Sequence, residues 1–218
     1  MTGIILFDLD GTISNSGPGI TRCVAYALDK FGIHVSELSQ LNCFVGPPLI
    51  ESFSVFYGFS REDSLRAVEY YRERYQAEGI HETAPYPGVC TMIHRLKTDG
   101  RRIALATSKP EVFARQIIEE YGLTDCFDAI TGCELDGTRS KKTEVMAECI
   151  RRLGLTERDL ARTAMVGDRN YDVLAARELG VHAVAVSYGY APPGELEAAG
   201  AEYIASDTDE LYSYLMSI

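Results

Sequence analysis

Gly3-Ile4-Ile5-Leu6-Phe7-Asp8-Leu9-Asp10-Gly11-Thr12 opens the chain with a short apolar run that ends on two aspartates. The run is too short for a buried helix and reads as a strand covered on both faces. Side chains alternate along a strand, so Asp8 and Asp10 face one way and Leu9 the other. Carboxylates placed directly after a buried strand are unfavourable unless something compensates them. In an open α/β sheet the carboxyl end of a strand is also where ligands bind. Gly11 lets the backbone turn there and approach a ligand closely. A polar turn capping the next helix would use the same Asp-Gly dipeptide, so this stretch alone leaves both readings open.

Working outward, the apolar run recurs. Arg102 to Ala106, Ala129 to Thr131, Ala164 to Val166 and Ala183 to Val186 read as further buried strands. Between them lie helical stripes, one of Phe113, Ile117 and Tyr121 and another of Val145, Met146, Cys149, Ile150 and Leu153. Alternation of strand and helix predicts an α/β fold, a doubly wound, Rossmann-like parallel sheet. Residues 16–82 break the rhythm. Ile20, Val24, Leu28 and Phe31 form one helical stripe, Ile50, Phe53 and Tyr57 a second, and Leu65, Val68 and Tyr75 a third. Glycine and proline flank this stretch at Ser16-Gly17-Pro18-Gly19 and at Ala84-Pro85-Tyr86-Pro87-Gly88. It is expected to be an all-helical insert, 16–82, hinged to a core made of 1–15 and 83–218.

A second acidic site, Met165-Val166-Gly167-Asp168-Arg169-Asn170-Tyr171-Asp172, also follows an apolar strand. Asp168 and Asp172 share a face if a helix begins there. An aspartate at a helix start is favoured on its own account, which explains one carboxylate but not the repeated strand-then-Asp pattern. If both strand ends meet at one sheet edge, carboxylates converge without histidine or cysteine. Oxygen ligands of this kind select a hard cation, and Mg²⁺ if the substrate is a phosphate. Leu105-Ala106-Thr107-Ser108-Lys109-Pro110 ends another strand, and its Thr107 and Ser108 hydroxyls and backbone N–H groups suit an anion as well as a helix cap. Ser140-Lys141-Lys142-Thr143-Glu144-Val145 leads into a helix, where a lysine could reach the same phosphate.

The formal net charge of -11 over 218 residues argues against a nucleic-acid polymer as partner, but not against a small phosphorylated metabolite held in a locally positive site. Cys23, Cys43, Cys90, Cys126, Cys133 and Cys149 form no C-x-x-C pair and read as reduced thiols. The start lacks the basic flank and apolar length of a signal peptide, and no run approaches membrane-spanning length. A cytoplasmic protein with no membrane partner, monomeric or a small homo-oligomer, is the expectation.

Taken in order, Asp8-Leu9-Asp10-Gly11-Thr12, Thr107-Ser108, Lys142, and Gly167-Asp168 with Asp172 resemble the four motifs of the haloacid dehalogenase-like hydrolases, in particular the phosphatases with a helical cap. The resemblance covers essentially the whole chain. Arg139 to Val145 and Gly167-Asp168-Arg169 look like the 5′-nucleotidase branch, near the phosphoglycolate phosphatases. The lysine of the third motif is set at Lys142 because it usually stands three residues before an aliphatic residue, here Val145; Lys141 stays open, since the common Lys-Pro-x-Pro form is absent. The resemblance implies that Asp8 is a nucleophile giving an aspartyl-phosphate and that Asp10 is the acid and base. It implies Mg²⁺ on the Asp8 and Asp168 carboxylates and the Asp10 carbonyl, with Asp172 acting through water or a neighbour. Gly11, Thr107, Ser108 and Lys142 would hold the phosphoryl group. A dehalogenase lacks the second aspartate of the first motif, which Asp10 supplies here, and a phosphonate hydrolase needs a cap lysine, for which the insert offers only Lys30, so neither reaction is expected. A sugar phosphomutase keeps the same core and remains an alternative. A receiver-type phospho-acceptor also gathers aspartates and a lysine, but is shorter and lacks a cap. The expected substrate is a nucleoside 5′-monophosphate, with phosphoglycolate as the alternative. Phe44, before Gly46-Pro47-Pro48, is the cap ring expected to stack on a base, with Gly46 in the same substrate loop.

Overall fold

The computed structural model describes residues 3–218. The chain starts in β1 (Ile4–Phe7) and leaves through β2 (Ser14–Asn15) into α1 (Gly17–Asp29), a 3₁₀ segment (Leu38–Phe44), α2 (Leu49–Tyr57) and α3 (Arg61–Ala77). It returns through β3 (Ala84–Pro85) to α4 (Val89–Thr98), β4 (Arg102–Pro110), α5 (Glu111–Glu120) and β5 (Ala129–Cys133). Then come α6 (Lys142–Arg152), α7 (Glu157–Leu160), β6 (Thr163–Gly167), α8 (Asn170–Leu179), β7 (His182–Val186), α9 (Glu195–Ala199), β8 (Tyr203–Ala205) and α10 (Thr208–Ser217). The residues divide into two compact units: one runs to Ser14 and resumes at Pro85–Ile218, and the other is Asn15–Ala84.

The first unit is a six-stranded parallel sheet in the order β5-β4-β1-β6-β7-β8. The α/β expectation holds, and β8 is a strand that apolar periodicity did not reveal, because Tyr203-Ile204-Ala205 is short and half-exposed. Every residue of β1 is buried. Ile4 and Leu6 join Ala104, Met165, Val145 and Met146 in a core on one face. By alternation Ile5, Phe7, Ile103 and Leu105, all buried, point to the other. The sequence order passes from β1 to β4 and β5 on one side, then back to β6, β7 and β8 on the other, which makes the β1–β6 boundary the topological switch point. Register brings Phe7 level with Leu105 on one neighbour and Val166 on the other, so β1 and β6 end within a residue of each other while β4 runs on past them to Pro110.

The second unit is helical; none of its described residues enters the six-stranded sheet. Helix α1 buries Ile20, Val24 and Leu28, as the stripe predicts. In α3 the stripe is corrected: Leu65 is 43% exposed, and the inward face is Ser64, Ala67, Val68, Tyr71 and Tyr75. That set keeps the i, i+3, i+4, i+7 spacing but uses small and phenolic side chains, which a search for aliphatic residues passes over. Rings pack against one another in this unit, with Phe44–Phe53 centroids at 5.0 Å in its interior and Phe44–Phe56 at 5.4 Å and Phe31–Phe59 at 4.7 Å reaching its surface. No disulfide forms among the described cysteines, and no described helix is long and apolar enough to cross a membrane.

Candidate active site

Asp8 is the first residue past β1, and its N–H donates to the Val166 carbonyl at 2.8 Å. Gly11 turns the chain with φ 81°, a conformation open to glycine, and its N–H donates to the Ser14 carbonyl. A Cβ at Gly11 would stand 2.0 Å from Asp168 Oδ2, so the glycine also makes room for the second acidic site. Asp168 follows Gly167, the last residue of β6, and α8 begins two residues later. Asp172 lies in the first turn of α8, and its Oδ2 accepts from Arg169 N at 3.0 Å, closing the helix start. Gly167 is required here for space: its Cβ would meet Asp172 Cγ at 2.1 Å.

Asp8, Asp168 and Asp172, all buried, each bring a carboxylate oxygen within 4.8 Å of the others. Lys142, the first residue of α6, reaches into this group. Its Nζ lies 2.9 Å from Asp8 Oδ1 and 2.7 Å from Asp172 Oδ1, and it donates to the Ala106 carbonyl at 2.8 Å. Lys141, by contrast, is exposed at the helix cap. Thr107 is buried on β4, with Oγ1 accepting from Lys109 N at 3.2 Å, and Ser108 is half-buried beside it.

Lys109 is the residue that motif reading passed over. Lys109 is 8% exposed, and its ammonium donates to both oxygens of Asp10 at 2.9 Å. β4 runs on to Pro110 through a register irregularity after Ala106, and both Thr107 and Lys109 are buried in that stretch. The Asp10 carboxylate is therefore held by a cation of its own, outside the three-carboxylate group. Also unforeseen is the turn after β7, whose Tyr190 N–H donates to Asp168 Oδ2 at 2.7 Å.

Burial sets the electrostatics. It pushes the Asp8 carboxyl up to about 6; Lys142 pulls it down and Asp172 pushes it further up. Burial, with Asp172 and Asp8 adding to it, raises Asp168 well above the usual carboxylate range. Burial alone would lower the Lys142 ammonium, but Asp172 and Asp8 outweigh it and leave it above its ordinary value. Lys142 thus pairs with two of the three buried carboxylates, Asp8 and Asp172. Asp168 Oδ1 is buried without a hydrogen-bond partner. A second positive charge would satisfy that oxygen and the repulsion around it, and an all-oxygen donor set fits a hard divalent cation.

Phe44 is corrected. It is 1% exposed and packed among Phe53, Phe56 and Tyr57 within the helical unit, so no ring face is open to a base. Gly46, in the loop that follows, has φ 103°, a backbone requirement that accounts for the glycine without a ligand.

This constellation belongs with a known set of sequences. The family model described as haloacid dehalogenase-like hydrolase matches residues 5–186. The chain belongs to the haloacid dehalogenase-like hydrolase family. It is 38% identical over 213 residues to a 5′-nucleotidase of Pseudomonas aeruginosa, covering 98% of this chain and 95% of that one. It is 32% identical to a phosphoglycolate phosphatase of Cereibacter sphaeroides, covering 97% and 96%. The crystal structure of a predicted phosphatase from Clostridium acetobutylicum superposes with a TM-score of 0.96 at 41% identity, covering 100% of both chains. With this family and these relatives, the protein is a phosphatase.

Proposed function

We propose that this phosphatase is a Mg²⁺-dependent phosphomonoester hydrolase that works through an aspartyl-phosphate on Asp8. The observation that carries the reading is the Asp8 carboxylate at the sheet's switch point, 2.9 Å from a buried lysine and beside two further buried carboxylates. Asp8, Asp168 and the Asp10 carbonyl are the proposed holders of Mg²⁺, with Asp172 beside them. When bound, the ion neutralises charge and polarises the phosphoryl group.

An Asp8 oxygen forms the new bond to phosphorus as the bond to the leaving oxygen breaks. Asp10, two residues on, supplies the proton that the leaving oxygen takes up. It then accepts a proton from the water that opens the acyl phosphate, which returns Asp8 as a carboxylate and releases inorganic phosphate. For that exchange, one Asp10 oxygen must come away from Lys109. Lys142, Thr107, Ser108 and the turn at Gly11 are the proposed phosphoryl cradle. Asn15–Ala84 is proposed as the helical cap.

The proposed substrate is a nucleoside 5′-monophosphate, supported by the wording of the third and fourth motifs and by the Pseudomonas relative. Phosphoglycolate is the second reading, supported by the Cereibacter relative. The test is phosphate release by metal-stripped protein, with and without Mg²⁺, from nucleoside monophosphates, phosphoglycolate, sugar phosphates and pyrophosphate. Mg²⁺-restored turnover with a higher kcat/KM for a nucleoside monophosphate is the expected result. A preference for phosphoglycolate overturns the substrate, and full turnover after exhaustive chelation overturns the metal.

A further inference from the structure

Asp168 is held by an unusual amount of backbone. The turn after β7, Ser187 to Gly194, folds back over it. Tyr190 N–H donates to Asp168 Oδ2 at 2.7 Å. A Cβ on Gly189 would stand 2.3 Å from Asp168 Cβ, 2.4 Å from Asp168 Oδ2 and 2.5 Å from the Gly11 carbonyl. With Gly11 approaching the same oxygen, the carboxylate is wedged between two glycines. The turn is pinned near its start by Tyr188, whose hydroxyl donates to the Thr12 carbonyl at 3.1 Å.

Its far end is pinned by a different device. Glu195, first residue of α9, accepts from Arg169 Nε at 2.8 Å and Nη2 at 3.3 Å, and from the Asn170 N–H at 3.0 Å. Arg169 is 8% exposed and is the residue directly after Asp168; Asn170 begins α8. Glu195 therefore clasps the two residues that follow Asp168, while the turn it terminates clasps Asp168 itself. Burying a guanidinium–carboxylate pair contributes little net stability, because desolvation offsets the attraction. The pair's geometry is nonetheless strict, with two oxygens spread over three donors. A fork of that kind fixes orientation more than it adds stability.

We infer that the Arg169–Glu195 pair is a positioning device for Asp168, closing the 187–194 turn over it so that Oδ2 is occupied by Tyr190 N–H and Oδ1 alone is presented to the cation. The inference rests on the proposed metal reading, and its test separates the two. Groups that orient a metal ligand from behind are typically worth about 10–100-fold in metal affinity.

The experiment is calorimetric titration of Mg²⁺ into substrate-free protein, wild type against Asp168→Asn, Glu195→Gln and Arg169→Lys, with thermal midpoints in EDTA. Expected are loss of binding in Asp168→Asn and a Kd raised about tenfold or more in Glu195→Gln and Arg169→Lys. In both clasp variants, kcat at saturating Mg²⁺ is expected to return to within about threefold of wild type, since a misplaced ligand is corrected by mass action. Wild-type binding that is absent, or unchanged by Asp168→Asn, sinks the metal reading. Binding that depends on Asp168 but keeps its Kd within about twofold in both clasp variants overturns the positioning role. Failure of both clasp variants to fold in EDTA assigns the pair to stability and equally overturns it.

Discussion

The two units of the molecule bury opposite kinds of side chain. In the sheet unit, Asp8, Asp10, Lys109, Lys142, Asp168, Arg169 and Asp172 are all buried. In the helical unit, the described buried residues are apolar, aromatic or hydroxylated, and charged groups such as Arg74 and Glu82 stay partly solvated at the margin. The second arrangement is what folding favours by itself: ring burial stabilises, and charges are left in water. The first is unfavourable for folding alone, since each ion must leave water. Such a cluster at a sheet edge fits the proposed cation, which would complete its charge balance. Changes in one unit are therefore expected to act on turnover with small effects on folding, and changes in the other the reverse.

The largest expected effect is in the sheet unit. Asp8→Asn is nearly isosteric but is no longer a nucleophile, and turnover is expected to fall by more than about 10³-fold, as when other enzymes lose their nucleophile. Folding is expected to persist, because removing one of three mutually repelling carboxylates offsets the weakened hold on Lys142. Steady-state phosphate release by the folded variant within about tenfold of wild type would falsify the covalent role.

Next in size is a change in the helical unit. Phe44→Ala deletes a ring held by Phe53, Phe56 and Tyr57 and is expected to lower stability by about 3–5 kcal/mol. Denaturant midpoints measure it. The milder Phe44→Leu, which keeps the unit folded, is expected to leave the kcat/KM ratio of nucleoside monophosphate over phosphoglycolate unchanged, since the ring has no open face. A ratio that drops tenfold or more returns Phe44 to the substrate.

The same contrast explains what could be read from sequence. Strand-end aspartates stand out because a buried apolar run followed by Asp8-x-Asp10 or by Gly167-Asp168 violates the ordinary hydrophobic logic, and violations are local. Register then brings the strand ends together. What was not legible depends on contacts between distant residues with no local anomaly. The Lys109–Asp10 pair joins positions 99 apart, and the Tyr190–Asp168 bond uses a backbone N–H that any residue but proline supplies. In the helical unit the misread face of α3 has another cause. The buried face uses Ser64, Ala67, Tyr71 and Tyr75, which hydrophobicity ranks below Leu65, so hydrophobicity alone gives the phase wrongly through Leu65. Phe44 was misplaced because a ring next to a glycine–proline loop looks the same in sequence whether it faces a ligand or a core.

The smallest expected effects sharpen the comparison through pH, because the two units should respond with opposite sign. In metal-free protein the Asp8 carboxyl is pushed from 3.8 up to about 6, chiefly by burial. A raised carboxyl binds protons more tightly in the folded state, so its favourable contribution is complete below about 4 and is lost as pH rises through about 6. Asp8→Asn has no such titration. In EDTA its thermal midpoint relative to wild type is expected to climb between pH 4 and pH 7. Glu82 behaves in reverse. Hydrogen bonds from Arg74 and then Arg22, opposed by partial burial, hold its carboxyl below the ordinary range. Its contribution is present above the unfolded value of 4.5 and is lost as pH falls through the lowered one. The pair is partly solvated, with side-chain exposures of 15% and 22%, so no more than about 1 kcal/mol is expected from it. Glu82→Gln should therefore melt slightly below wild type at pH 7 and converge with it on acidification. Parallel pH profiles for the two variants would mean that the buried carboxylates of the sheet unit are already balanced without a cation, and the contrast between the units would lose its electrostatic basis.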